Sequence, residues 1–230
     1  MATVQNHLIA RLPRKSRERL LALCEPVDLV FAKVLCEPGD RVRHVYFPTE
    51  GFISLVAMID GNPGVAVGMV GREGMLGSEL VLGAAIAPLH ALVQGPGSAL
   101  RVTTAAFRNE LATSKALQQE LGLYLYVLMA QLTTSAACLR FHLIGPRLAR
   151  WLLMSQDRAH SDEFHVTQEF LAYMLGVRRV GVTVAAGELQ RKGLIRYRRG
   201  EFKVVDRQGL EAASCSCYAQ ARKWYVALLE

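Results

Sequence analysis

The sequence predicts an α+β chain in three parts: an N-terminal double-stranded β-helix (jelly roll), a long helix, and a C-terminal winged helix-turn-helix. Three observations carry this reading. Residues 27–102 are short apolar runs punctuated by Gly and Pro, residues 114–143 contain no Pro and a single Gly, and residues 167–190 have helix-turn-helix spacing followed by two alternating runs of a basic hairpin. The corresponding segments are 1–113, 114–143 and 144–230.

With 230 residues, 51% of them apolar and 20% charged, the chain can fill one large core or two modest ones. Such a composition excludes a disordered tail, a collagen-like repeat and a disulfide-stapled miniprotein. The longest near-apolar run, 121–129, is shorter than the roughly 20 residues that span a bilayer. No apolar core stands behind the first charges, as a secretory signal would require. The five cysteines, Cys24, Cys36, Cys138, Cys215 and Cys217, are scattered and odd in number, which suits a reducing compartment. A cytoplasmic protein with no membrane partner is expected.

The first 25 residues read as helix, with Leu12-Pro13 opening the main stretch and Glu25-Pro26 ending it. Turn clusters at 37–40, 48–51, 60–64, 71–74 and 95–97 then separate strand-like pieces at 42–47, 52–59, 65–70 and 89–94. A short helix covers 105–111, and the long helix follows. In it Leu121, Leu125, Leu128, Leu132, Ser135 and Leu139 alternate steps of four and three, a heptad seam. Tyr124, Val127, Ala130, Ala137 and Phe141 make the other side apolar as well. A helix of about 45 Å, at 1.5 Å per residue, with two apolar faces needs two partners. Its own β domain supplies one. A second copy of the chain supplies the other, so a homodimer is expected with Leu121, Leu125, Leu128, Leu132 and Leu139 in the seam. Gly145-Pro146 ends this helix, and another runs over 147–160 with Leu148, Trp151, Leu152 and Met154 on one side.

In the 167–190 motif, Thr167 is the N-cap and Glu169 sits favourably in the first turn. Counting Gln168 as position one, Ala172 falls at five, where the second helix crosses and a small residue is needed. Gly176 falls at nine, where the chain must turn left-handed. Leu171, Leu175, Val177, Val182 and Ala185 close the small core between the helices. Two alternating runs, 194–198 and 202–205, joined through Arg199-Gly200-Glu201, make the wing. Charge points the same way: residues 1–143 carry a net +2, residues 144–230 a net +5, and residues 178–207 alone +6. Such a local excess suits a polyanion. Double-stranded promoter DNA is therefore the expected partner. Arg178 and Arg179, at the start of the second helix, suit bidentate contacts to guanine, and Val180, Thr183 and Val184 suit thymine methyl groups. Thr167, Gln168, Arg191, Arg196, Arg198 and Arg199 complete the DNA-facing set. The alternative is a nucleotide or small-molecule sensor whose winged domain docks on protein.

The order of parts resembles the Crp/Fnr family of bacterial transcription regulators over nearly the whole chain. Gly39 and Gly51 match glycines that turn the early strands of that family's cyclic-nucleotide-binding roll, around Val45-Tyr46-Phe47. The run Met75-Leu76-Gly77-Ser78-Glu79-Leu80 sits at its phosphate-binding cassette, Arg147-Leu148 at the start of its DNA-binding domain, and Leu194-Ile195 at the end of its recognition helix. The resemblance implies a homodimer on a palindromic site, a small-molecule effector of unknown identity in the roll that changes the pose of the DNA-binding heads, and RNA polymerase as a further partner. It also implies an effector pocket drawn from Met75, Leu76, Gly77, Ser78, Glu79, Leu89, His90, Thr133 and Thr134.

Departures from the family pattern restrict that inference. Cyclic-AMP members place Glu directly after the cassette glycine; here Ser78 stands there and Glu79 falls one residue late, where strand alternation turns it away. No Arg or Lys occurs between Arg72 and Arg101, and Pro88 or Leu89 fills the slot of the phosphate-binding cation. A buried phosphate without its cation is costly, so an effector other than cyclic AMP, or none, is expected. Of the family's base-reading residues only Arg179 matches, with Val180 and Val184 in place of the others. Gly181 and Gly187 each weaken the second helix by about 1 kcal/mol, so a different DNA sequence is expected. Cys24 and Cys36 stand apart from any iron–sulfur pattern, and His44 and His90 lack metal or haem spacing. Cys215 and Cys217 form the one notable pair; packing beside Tyr218 is the expected role, and a four-thiolate site shared across a dimer is the alternative. No metal or cofactor is expected. The six histidines show no ligand pairing, and no phosphate loop, nucleophile elbow or dinucleotide fingerprint occurs, so no enzyme and no catalytic residue is expected.

Overall fold

The structure is a computed structural model that describes residues 6–60 and 64–229. The first five residues of the expected N-terminal helix and the centre of the 60–64 turn lie outside the described residues. The chain divides into two compact units, Met1–Leu55 with Met69–Met129 and Tyr225–Glu230, and Val56–Gly68 with Ala130–Trp224.

The first unit opens on two helices, α1 (His7–Arg11) and α2 (Arg14–Ala22), where the sequence suggests one. Leu12 is extended at φ −63°, ψ 143° because a residue before proline is pushed out of the helical region. Asn6 caps α1 at the Ile9 amide and donates its side-chain amide to the carbonyls of Pro48 (3.0 Å) and Gly74 (2.9 Å), pinning the helix to the roll.

Five strands follow: β1 (Glu25–Leu29), β2 (Val34–Cys36), β3 (His44–Ala57), β4 (Val65–Val70) and β5 (His90–Thr103). Their order is β1-β5-β3-β4, with β2 also on β5. β1 runs antiparallel to β5 with Glu25 opposite Arg101. Both β3 and β5 pass through segments that read as turns, 48–51 and 95–97, without leaving the sheet. The reason is close backbone approach. A Cβ on Gly51, whose φ is +71°, would stand 2.3 Å from the Gly95 carbonyl oxygen, and one on Gly97 would stand 2.4 Å from that of Glu50. Glycine here bends two paired strands rather than ending them.

Leu8, Ile9, Leu20, Val45, Phe47, Met75, Phe107 and Leu117 share one core with the next two helices. α3 (Thr104–Thr113) is capped by Thr103 at the Ala106 amide. α4 (Lys115–Phe141) sends Leu121, Tyr124 and Val127 into that core, and Leu128 packs against it. Leu121 is fully buried within its own chain, while Leu125 and Leu132 are half-buried and Leu139 is exposed. The apolar face left open carries Leu123, Tyr126 and Met129, the last 59% exposed. The sequence shows two apolar sides and not which one meets the roll; packing assigns Tyr124 and Val127 to it and turns Tyr126 and Met129 outward. By length and composition α4 is also long and apolar enough to cross a bilayer, which the shorter 121–129 run does not suggest.

The second unit contains α5 (Ile144–Ala159), β6 (Glu163–His165), α6 (Gln168–Leu175), α7 (Arg179–Arg191), β7 (Ile195–Arg198), β8 (Glu201–Val204), α8 (Arg207–Ala213) and the start of α9 (Cys217–Leu229). Pro146 lies in the first turn of α5, where its missing N–H has no helical partner to lose. Leu148, Leu152, Leu171, Val182, Phe202 and Leu210 are buried at its centre, and the three strands form a sheet in the order β6-β8-β7.

Candidate nucleic-acid interface

The interface is built on α6 and α7, whose axes are bent by 107° across Gly176 and Val177. Thr167 caps α6 by accepting from the Phe170 amide at 3.1 Å. Gly176 ends it in the left-handed region at φ 61°, with its N–H turned to the Ala172 and Tyr173 carbonyls. Leu171, Ala172, Leu175, Val182, Ala185 and Leu189 are buried between the helices. The Arg147 guanidinium, from α5, donates to the Leu175 carbonyl and so fixes the turn from beneath. Burial pulls this guanidinium below its ordinary value.

With that side inward, α7 presents Arg179, Val180, Thr183, Val184, Gly187 and Arg191 to solvent. Val180 is 66% and Val184 57% exposed, so two adjacent turns of α7 present aliphatic side chains to solvent. Thr183 donates to the Gln168 side-chain oxygen at 2.6 Å, joining this stripe to the first turn of α6. The two glycines of α7 differ in kind. Gly187 has open space around it, whereas a Cβ on Gly181 would lie 2.6 Å from Ile144 Cδ1, the movable end of a side chain at the start of α5.

The wing pairs Ile195 with Val204, Arg196 with Lys203, Tyr197 with Phe202 and Arg198 with Glu201. Arg199 and Gly200, at φ 52° and 91°, make the two-residue turn, both left-handed as the twist of a tight hairpin demands. The Gln190 side chain accepts from the Tyr197 amide at 2.7 Å, which fastens the wing to the end of α7. β6 covers the far edge of β8.

The basic residues fall into two groups that charge counting does not separate. Arg178, Arg179, Arg191, Arg196, Arg198 and Arg199 are exposed and make no ion pair among the described residues. Lys203 is paired with Glu163 at 2.6 Å. Arg207 is held by Asp157 at 2.7 Å, Glu211 at 3.0 Å and the Tyr218 hydroxyl, so it is an internal strut of the unit.

In the first unit, the cassette region is a short 3-10 turn, Ser78–Leu82, entered through Gly77 at φ 96°. Met75 and Ser78 are buried, and Met75 accepts at its carbonyl from the Tyr124 hydroxyl at 3.1 Å. Leu76 bridges to Tyr46. Because Glu79 lies in a turn, the strand alternation expected to turn it away does not operate; it is half-buried, and burial pushes its carboxyl above the usual carboxylate range. His90 is bound to Glu37 at 2.7 Å. Burial pushes the nearby Cys36 thiol up, and Asp40, Glu79 and Glu37 add to the effect. Arg108 of α3 donates to the Gly83 carbonyl at 3.3 Å, which places one cation at the end of this turn. Leu89 is half-buried beside His90. In the second unit, Thr134 bonds back to the Ala130 carbonyl at 2.8 Å, and Thr133 faces outward. Glu37, Gln190 and the ion-paired state of Lys203 and Arg207 were not readable from sequence, because each depends on a partner distant along the chain.

Comparison with known proteins places this geometry. Residues 146–213 match the family model of the Crp-like helix-turn-helix domain. No curated protein matches the chain by sequence. Among solved structures, FixK2 from Bradyrhizobium japonicum is similar with a TM-score of 0.70 at 13% identity, covering 84% of this chain and 98% of its own. The regulator CLP from Xanthomonas campestris, described as responsive to c-di-GMP, gives 0.68 at 18% identity over 84% of this chain and 99% of its own. A crp/fnr-family transcriptional regulator from Eubacterium rectale gives 0.68 at 12% identity over 88% and 94%. Residues 146–213 are thus a Crp-like helix-turn-helix domain, on a chain that has the fold of the Crp/Fnr regulators.

Proposed function

We propose that the protein is a homodimeric, sequence-specific DNA-binding transcription regulator whose roll answers to an effector other than cyclic AMP, or to none. The observation that carries the reading is the outward stripe of α7: exposed Val180, Thr183 and Val184 in line with Arg179, flanked by arginines that have no carboxylate partner among the described residues. An exposed helix of this kind enters the major groove, where Arg179 meets guanine and the valines meet thymine methyl groups. Arg191 and the wing residues Arg196, Arg198 and Arg199 then take phosphates and set the register.

The dimer rests on the exposed apolar face of α4, which carries Leu123, Tyr126 and Met129. Such a pair of heads reads a palindrome and positions RNA polymerase beside it. For the effector, the His90–Glu37 pair and the lack of any Arg or Lys between Arg72 and Arg101 count against a cyclic phosphate, which needs a cation.

The test is genome-wide footprinting followed by anisotropy titrations of a recovered duplex. Tight binding that falls steeply with salt, and weakens when the site is scrambled, is the expected result. Equal affinity for any duplex, or no retention of DNA at low salt, overturns the proposal in favour of a protein-docking role.

A further inference from the structure

Four metal-ligating side chains converge in the second unit that the DNA-binding reading does not use. Cys138 lies in the last turn of α4 and His142 one turn later, so both face one side. Cys215 and Cys217 come from the junction between α8 and α9. Their ligand atoms, three sulfurs and one imidazole nitrogen, all lie within 4.8 Å of one another. Cys138 Sγ is 3.5 Å from Cys215 Sγ, and Cys217 Sγ is 3.5 Å from His142 Nδ1. The three cysteines are buried and form a small cluster of their own, apart from the larger cores.

We propose that Cys138, His142, Cys215 and Cys217 bind one zinc ion within a single chain. The distances fit that ion. With Zn–S near 2.3 Å and Zn–N near 2.0–2.1 Å, a tetrahedral centre sets sulfurs about 3.8 Å apart and sulfur and nitrogen about 3.6 Å apart. The closest pairs already stand there, and the widest need to close by about 1 Å. Three soft thiolates and one imidazole in this arrangement select zinc among the divalent ions. Simple packing accounts for small buried thiols but not for an imidazole nitrogen set against one of them. A Cys138–Cys215 disulfide would use two of the four groups and leave Cys217 and His142 unexplained.

The surroundings carry the matching charge. Three thiolates and a neutral imidazole around a dication make a centre of net −1. The Arg150 guanidinium lies within electrostatic reach of Cys138 and Cys217, and Arg147 within reach of Cys138 and Cys215. Neither arginine is paired with a carboxylate among the described residues. Arg150 donates to Ser135 Oγ at 3.1 Å, and its Nε is buried with no hydrogen-bond partner. A buried cation unpaired with carboxylate beside three thiol groups is the outer layer that an anionic metal centre requires. Binding replaces the thiol protons by the metal and fastens the chain at 215–217 to the end of α4. Since the ligands come from segments more than 70 residues apart, the gain in stability falls on the folded state alone.

The test uses the full chain, purified under reducing conditions without chelator. About one zinc per chain by elemental analysis is expected. After removal of zinc, Co²⁺ alone is expected to give sulfur-to-cobalt charge transfer and the intense visible bands of a tetrahedral site, with a rise in melting temperature. Cys215→Ser should abolish those bands, His142→Cys should keep them with a shift in wavelength, and Cys24→Ser, remote from the cluster, should leave them unchanged. A metal-free chain with fully titratable thiols and no cobalt bands overturns the proposal. So does a Cys138–Cys215 disulfide found by mass spectrometry, or iron in place of zinc. Because the cobalt titration is made on the unaltered chain, failure of a variant to fold does not protect the proposal, and a negative result leaves the DNA-binding reading untouched.

Discussion

Thr183 donates its hydroxyl to the Gln168 side-chain oxygen at 2.6 Å, so the outer stripe of α7 and the first turn of α6 form one fixed surface. The same hydroxyl lies 3.1 Å from the Arg179 carbonyl, which ties it to the residue expected to meet bases. Thr183→Val keeps the shape and removes the donor. We expect at most about 0.5–1.5 kcal/mol lost in urea unfolding, with a broadened DNA motif and an unaltered salt slope. A sharp, unchanged motif would place Gln168 and Thr183 outside the reading surface.

The two groups of basic residues should separate by measurement. Arg179→Ala should cost about 1–3 kcal/mol at one base position and relax preference there. Arg198→Ala should weaken all sequences alike and lower the salt slope by about one. Arg207→Ala should lower the melting temperature, because it breaks contacts to Asp157, Glu211 and Tyr218, and leave the slope alone. Identical effects from Arg198 and Arg207 would refute the division.

Along α4, exposure predicts which residues hold two chains together. Tyr126→Glu or Met129→Glu should give monomers by light scattering while the fold survives, since both side chains are open in the single chain. Leu121→Ala should instead cost about 2–5 kcal/mol of stability, because that side chain is buried in its own unit. A dimer that withstands charge at both 126 and 129 would remove this face from the interface.

Glu79 makes stability depend on pH. Burial raises its folded-state pKa above the ordinary value of 4.5, so the folded chain holds the proton more tightly than the unfolded one. The stabilising share is complete below that ordinary value and is lost as pH rises through the folded value. Glu79→Gln should therefore raise the melting temperature at pH 7.5 and have no such benefit at pH 4. A gain confined to the acid side would reverse the assignment. Millimolar cyclic AMP should not shift the melting temperature at either pH.

Much of the DNA-binding segment was legible because its rules are local. Thr167 caps the next few amides, Gly176 supplies one left-handed residue, and Ala172 leaves room for a helix crossing one turn away. The wing turn at Arg199-Gly200 is equally local. Elsewhere local rules misled. Gly51 and Gly95 look like turn residues and instead mark the place where two long strands press together, which neither segment shows alone. Leu121 fits a heptad seam but is claimed by the roll, since an apolar period does not say which partner will cover it.

By itself the sequence determined the order of the parts, the helix-turn-helix with its wing, and the concentration of positive charge near the end of the chain. Periodicity, turn chemistry and charge act over a few residues and so can be read in line. Only the tertiary structure decided which face of α4 stays open, which arginines are free, that His90 belongs to Glu37, and that Cys138 and His142 stand beside Cys215 and Cys217. Those outcomes depend on groups separated by tens of residues, and folding alone brings them within bonding distance.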